Sequence, residues 1–205
     1  MGEGSTTIGG VAERDWVGIV ATGDCPDCGL AARGIPRADL PSLLEDEGRT
    51  WGVLLRTASA ATLRARAPEG TWSALEYGAH VRDVLAVFAA RVELALAEDR
   101  PVFGWWDHEA AADTEGYNDQ APEVVATELE GRASQLASLA RGLAEGDWLR
   151  TGTRRDNETF TVEALIRFAL HEAHHHRVDA DRRAVDAAHT PGHPSPPGRG
   201  GRTVT

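Results

Sequence analysis

Four of the eight histidines in this chain fall between positions 171 and 176, in the run Leu170-His171-Glu172-Ala173-His174-His175-His176-Arg177. Imidazole is largely neutral near pH 7 and binds divalent ions through a ring nitrogen, so such a concentration is first a question about metals. On a helix, His171 and His175 are four residues apart and differ in direction by only about 40° around the axis. Two imidazoles so placed can share one ion at N–metal distances of roughly 2 Å. Phe168, one turn earlier, belongs to the same stripe and turns it toward a core. A third nitrogen must come from another segment, and His80, in Tyr77-Gly78-Ala79-His80-Val81-Arg82-Asp83-Val84, is the candidate. It shares a helical face with Glu76, Val84 and Val87. Three neutral imidazoles leave a coordination position open for water or substrate. Glu76, one turn before His80, and Asp83 are the carboxylates able to orient an imidazole or move a proton. Both also have simpler uses, Glu76 in a helix cap and Asp83 in a pair with Arg82.

The same run reads His-Glu-x-x-His, from His171 to His175, a pattern in which zinc proteases use the glutamate as general base. The extended pattern fails, because Val178 stands where a glycine is expected and Asp181 where a further ligand is expected. A protease is therefore a minor alternative, with Glu172 read as a supporting or solvent-facing residue. Cys25-Pro26-Asp27-Cys28-Gly29 has the character of a zinc knuckle, but two cysteines supply only half of a four-ligand site. His189 and His193 would complete a Cys2His2 set on paper, from a Pro/Gly-rich tail about 160 residues away. The plainer reading is a reduced loop, with a metal or redox role as its alternative.

These residues must be positioned by helices, since the dominant apolar period is helical. The first helix is expected from about Leu40 to Thr57. The second follows Ser73-Ala74-Leu75-Glu76, a Ser-x-x-Glu capping box, and runs to about Glu98. The third starts at Pro122, a residue suited to a first helical turn, and reaches about Glu145. The fourth starts near Thr161, a plausible N-cap, and carries the histidines to about Val185. A long connection, Arg100 to Ala121, holds Trp105, Trp106 and Tyr117, read as aromatics that pin the loop to the bundle, with the lining of a pocket mouth over the metal as the alternative. Trp148 to Phe160 reads as a turn or short hairpin. The expected architecture is all-α, an antiparallel four-helix bundle with one long crossover. Residues 1–38 form an irregular segment, 39–186 the bundle, and 187–205 a disordered Pro/Gly-rich tail.

The composition sets the outer limits. The chain has 205 residues, 21 basic against 32 acidic, for a formal net charge of -11, and every basic residue outside histidine is arginine. An acidic field of that size argues against nucleic acid and anionic membranes as partners. No segment reads as a secretory signal or a membrane span, which makes a cytoplasmic location the default.

Three segments together carry a family resemblance: Trp72-Ser73-Ala74-Leu75-Glu76-Tyr77-Gly78-Ala79-His80-Val81-Arg82-Asp83, Phe160-Thr161-Val162-Glu163-Ala164-Leu165, and His171-Glu172-Ala173-His174-His175-His176. Over roughly residues 40–185 the chain resembles the DinB/YfiT-like metalloenzyme superfamily, which includes the metal-binding domain of mycothiol-dependent maleylpyruvate isomerase. The resemblance implies a four-helix bundle that binds a divalent ion, zinc or nickel, through His80, His171 and His175. It further implies a metal-dependent hydrolase or a transferase or isomerase that uses a low-molecular-weight thiol such as mycothiol. The ending usual after the histidine cluster is replaced here by His176-Arg177-Val178-Asp179. The expected partner is a small-molecule substrate, and a homodimer is compatible with the pattern. The rival from another class is a non-catalytic bundle whose metal is structural or absent.

Overall fold

The computed structural model describes residues 25–66, 71–154 and 158–189. Six α-helices are found among them: α1 (Leu40–Thr57), α2 (Ala60–Arg64), α3 (Ala74–Ala97), α4 (His108–Thr114), α5 (Pro122–Gly142) and α6 (Val162–His189). Strands β1 (Thr151–Arg154) and β2 (Glu158–Thr161) form an antiparallel hairpin, Thr151 opposite Thr161 and Arg154 opposite Glu158. Four long helices make the bundle. Around it, α1 packs against α5 and α6, and α3 packs against the same two, so that α1 and α3 face each other across a diagonal. The expected four-helix bundle is therefore present. Its chain path departs from simple neighbour-to-neighbour order, because the short α2 link carries the chain across that diagonal.

The helix starts follow from local chemistry. At α3 the Ser73 hydroxyl accepts the Glu76 N–H at 3.2 Å, and the Glu76 carboxylate accepts the Ser73 N–H at 2.8 Å, so two orphan donors are satisfied reciprocally. Pro122 opens α5, and the Thr161 hydroxyl accepts the Ala164 N–H at the start of α6. The last helix continues to His189, so residues 187–189 of the expected tail are helical. The remainder of that tail, with His193, lies outside the described residues, as do residues 1–24. Among the described residues, no helix is long and apolar enough to cross a membrane.

The core runs the length of the bundle through Leu44, Trp51, Leu75, Leu85, Leu129, Leu136, Leu165 and Ile166. Two features set how α6 sits in it. The buried Trp51 indole on α1 donates to the Ala173 carbonyl at 2.9 Å. Phe168 packs edge-on against Phe88 of α3, with ring centroids 5.3 Å apart. Arg167, on the adjoining face of α6, reaches the Ala32 and Ile35 carbonyls of the segment that precedes α1. Its guanidinium also bonds Glu163, which takes a second arginine, Arg37, from the same segment. Residues 25–39 are thus laid along α6 as a turn followed by two short 3-10 turns.

The crossover is more ordered than a plain loop. It contains α4 and pairs with the hairpin, where Phe103 N–H bonds the Thr153 carbonyl and Thr153 N–H bonds the Pro101 carbonyl. Tyr117 is fully buried and donates its hydroxyl to Asp83 at 2.5 Å. Trp105, by contrast, is half exposed beside Arg154.

Two glycines give opposite expectations. A Cβ at Gly48 would lie 2.7 Å from the Ala133 methyl at the α1–α5 contact, whereas nothing stands within 4 Å of one at Gly131 on α5. Gly131→Ala should stabilise the fold by about 0.5–1 kcal/mol through backbone entropy and helix propensity. Gly48→Ala gains the same but incurs an overpacking cost of about 1–3 kcal/mol, so its melting temperature should fall. Glu163 supplies a pH test. Burial opposes its charge, yet the bonds from Arg37 and Arg167 outweigh this and hold its carboxyl below the usual range. A depressed folded-state pKa adds stability above the unfolded value of about 4.3, and this is lost as pH falls through the folded one. In urea melts between pH 7 and pH 3, Glu163→Gln should therefore be less stable than wild type at pH 7, and the gap should close toward pH 3.

Candidate metal centre

Along α6 the side chains advance by about 100° per residue, so consecutive residues point to different neighbours. His171 and His175 face the Cys25–Cys28 turn. Glu172 and His176, one residue further on, face α3. The outcome is two groups of ligand-type side chains, each with its donor atoms all within 4.8 Å of one another. One is Cys25, Cys28, His171 and His175. The other is His80, Glu172 and His176. A third overlapping group, His175, His176 and Asp179, joins them.

The expected triad is therefore divided. His80 is not brought together with His171 and His175 in any such group among the described residues. The physical reason is the phase of α6: the face opposite α3 is occupied by Glu172 and His176, which rotates the His171/His175 pair toward the N-terminal turn. The Glu172–His176 pair has the same four-residue spacing as His171–His175, so its metal-ligating potential was present in the sequence one position along. What hid it was the stronger His-x-x-x-His pattern beside it. The cysteine turn was equally visible, but its partner helix was not.

In the second group, the Glu172 carboxylate lies 3.5 Å from His176 Nε2 and 3.9 Å from His80 Nε2. Two ligands on a tetrahedral ion at bond lengths of 2.0–2.1 Å are about 3.4 Å apart, so small rotations of these side chains suffice to close on a cation. The His80 Nδ1 atom is buried with no hydrogen-bond partner. Burial pushes the His80 pKa down to about 4, with the neighbouring His176 adding to the effect, so His80 is a neutral imidazole at physiological pH. His176 goes the other way, up to about 9. Burial opposes its charge, but the Asp179 and Glu172 carboxylates outweigh it. Burial also opposes the charge of Glu172, yet His171, His176 and His80 hold its carboxyl well below the usual range. The donor set of two imidazoles and one carboxylate suits a borderline divalent ion.

Aromatic rings enclose this group. Trp106, from the crossover, stacks on His80 with centroids 5.6 Å apart and planes 10° from parallel. Trp72 tilts against the same imidazole at 5.0 Å, and Tyr77 stacks on His176 at 5.1 Å. The exposed His108 of α4 stands at the rim, 5.7 Å from His80. Trp106 thus belongs to the site as well as to the loop. The Glu172 and His176 side chains keep 17% and 19% of their surface exposed above a buried His80, while in the first group Cys25 and His171 are 1% exposed and Cys28 is half-buried.

Glu76 and Asp83, the two expected acid–base groups, are placed elsewhere. The Glu76 carboxylate is committed to the Ser73 cap and to a forked ion pair with Arg66. Burial opposes its charge, and these bonds override it, leaving the carboxyl low. The Asp83 carboxylate accepts from Tyr117 and from Arg82, and so anchors the crossover to α3. Neither carboxylate is a member of a ligand group among the described residues. His174 also stands apart, bonded to Glu47 at 2.7 Å.

Residues 43–179 match the family model of the DinB superfamily. YfiT from Bacillus subtilis, described as a probable metal-dependent hydrolase with an unusual four-helix bundle topology, superposes with a TM-score of 0.71 at 17% sequence identity. The alignment covers 83% of this chain and 98% of YfiT, and at that identity the likeness is one of fold. No protein of curated function matches. Because the matched stretch runs from within α1 to Asp179 on α6, taking in all four long helices and every histidine of the two groups, the chain belongs to the DinB superfamily.

Proposed function

We propose that the protein is a metal-dependent hydrolase acting on a small-molecule substrate, with its reactive divalent ion, zinc or nickel, held by His80, Glu172 and His176. The observation that carries this reading is the partly exposed group of two imidazoles and one carboxylate beneath an aromatic collar. The description of YfiT as a probable metal-dependent hydrolase supports the same class. Three protein donors with a single negative charge leave a divalent ion net positive and incompletely coordinated, able to polarise a carbonyl or phosphoryl oxygen and to acidify a water.

The chain's own residues set the rest. Asp179 lies 3.4 Å from His176 Nδ1, on the side of the ring away from Glu172, and so orients the imidazole and fixes which nitrogen faces the ion. Trp106 stacks on one face of the His80 ring and Trp72 tilts against the same imidazole, which limits the water that can reach it. Tyr77 does the same for one face of His176. The collar sets the substrate class. Its rings favour a compact, partly apolar molecule.

Tag-free protein should be assayed for metal content and for turnover of small esters, amides and phosphoesters. His80→Ala and His176→Ala should each lose one metal equivalent and the activity together. Asp179→Asn should weaken metal retention or activity by about 10–100-fold, the range expected for a residue that orients a ligand. His174→Ala should keep both metal and activity, since its imidazole is spent on Glu47. Unchanged metal content in His80→Ala and His176→Ala would overturn the assignment.

A further inference from the structure

The Cys25–Cys28 turn and the His171/His175 pair are about 150 residues apart in sequence, yet their four donor atoms lie within 4.8 Å of one another. We infer that they form a second metal site, a closed Cys2His2 centre that takes zinc and staples the N-terminal segment to the histidine helix. It lies outside the His80/Glu172/His176 group and goes beyond the catalytic reading above.

Geometry argues for it first. Cys25 Sγ is 3.5 Å from His175 Nδ1. On a tetrahedral zinc with Zn–S near 2.3 Å and Zn–N near 2.05 Å, a sulfur and a nitrogen ligand stand about 3.6 Å apart. The turn itself has the required shape. Gly29 N–H bonds the Cys25 carbonyl at 2.8 Å, Cys25 N–H bonds the Leu30 carbonyl at 3.1 Å, and Gly29 is in the left-handed region at φ 76°, where a side chain would be strained. This folds the chain back so that both sulfurs face one point. The cysteines are not joined in a disulfide.

Burial and charge argue for it next. Cys25 and His171 are 1% exposed, His175 is 7% exposed and Cys28 is half-buried. Two thiolates and two neutral imidazoles cancel the charge of a divalent zinc ion, which is the arrangement a desolvated site tolerates. Four protein donors also complete the tetrahedral shell, so this ion has no position for substrate. The supporting contacts have the form seen around histidine ligands. His175 presents its other nitrogen, Nε2, to the Asp179 carboxylate at 3.4 Å, and His171 presents Nδ1 to Glu172 at 3.6 Å. The segment is held beside this point by Arg182 on the Asp27 carbonyl and Arg167 on the Ala32 carbonyl, so the turn is docked on α6 by contacts independent of a metal.

The test uses full-length, tag-free protein loaded with zinc or with cobalt. Zinc-loaded wild type should hold two equivalents, and Cys25→Ser/Cys28→Ser should hold one. Cobalt-loaded wild type should show a thiolate-to-cobalt charge-transfer band with the intense visible bands of a tetrahedral ion. His80→Ala should keep that band, and the double cysteine variant should lose it. If the cysteine variant fails to fold, thiol protection in wild type decides the matter. Both thiols should resist a colorimetric disulfide reagent in the zinc-loaded protein and react after chelation. A cobalt spectrum without charge transfer, thiols that react at full rate with zinc present, or an isolated Cys25–Cys28 disulfide would each overturn the site. The two assignments fail separately. A band that survives while His80→Ala loses no metal supports this centre against the catalytic one, and the converse result does the reverse.

Discussion

Helical phase on α6 is the constraint on which both sites depend. Two ligand pairs, His171/His175 and Glu172/His176, are interleaved one residue apart, so they point about 100° from each other. That separation works only if the helix meets a different partner on each side: the Cys25–Cys28 turn on one, and His80 of α3 on the other. A small rotation of α6 would carry each pair toward the other's neighbours. The contacts that prevent it lie nearby, in the Trp51 bond to the Ala173 carbonyl and the Phe168 contact with Phe88. The apolar core of the bundle thus sets the phase, and the phase divides the histidines.

Burying so many titratable groups is costly, and the way they are paired decides what the region can hold. An isolated buried charge would neutralise instead of persisting. Here His80 and His175 do so, each with its pKa pushed down to about 4 by burial. His176 stays charged because two carboxylates face it, and Glu172 stays charged because three imidazoles do. A cation bound by this group would have to displace the His176 proton, whereas His80 is already neutral.

Much of the scaffold could be read from the sequence because its signals are local. The Ser73–Glu76 box, Pro122 and Thr161 each act within one helical turn, and the helix starts they mark are found within a residue of where the sequence puts them. The hairpin between Trp148 and Phe160 was equally legible. The site was only partly so. The histidine run, His80 and the cysteine turn all stand out by residue type, but which of them meet depends on the rotation of α6 and on how residues 25–39 dock. Those are long-range packing outcomes, set by Trp51, Phe88, Arg167 and Arg37. The same limit explains Glu76 and Asp83. Each is placed correctly on α3, yet Arg66 and Tyr117, which claim their carboxylates, come from segments with no helical period to predict them.

The two groups are also wired together. Asp179 faces His175 of the closed group and His176 of the open one, both at 3.4 Å. Glu172 belongs to the open group and faces His171 of the closed one. Each carboxylate therefore has a fixed amount of charge to share between imidazoles on two sides. A metal in the proposed cysteine-rich centre would fix the orientation of His171 and His175, and with them the rings that Glu172 and Asp179 face on that side. What remains of each carboxylate's bonding capacity is directed at His176 and His80. Two shared acids on a single helix thus tie the geometry of one group of side chains to that of the other.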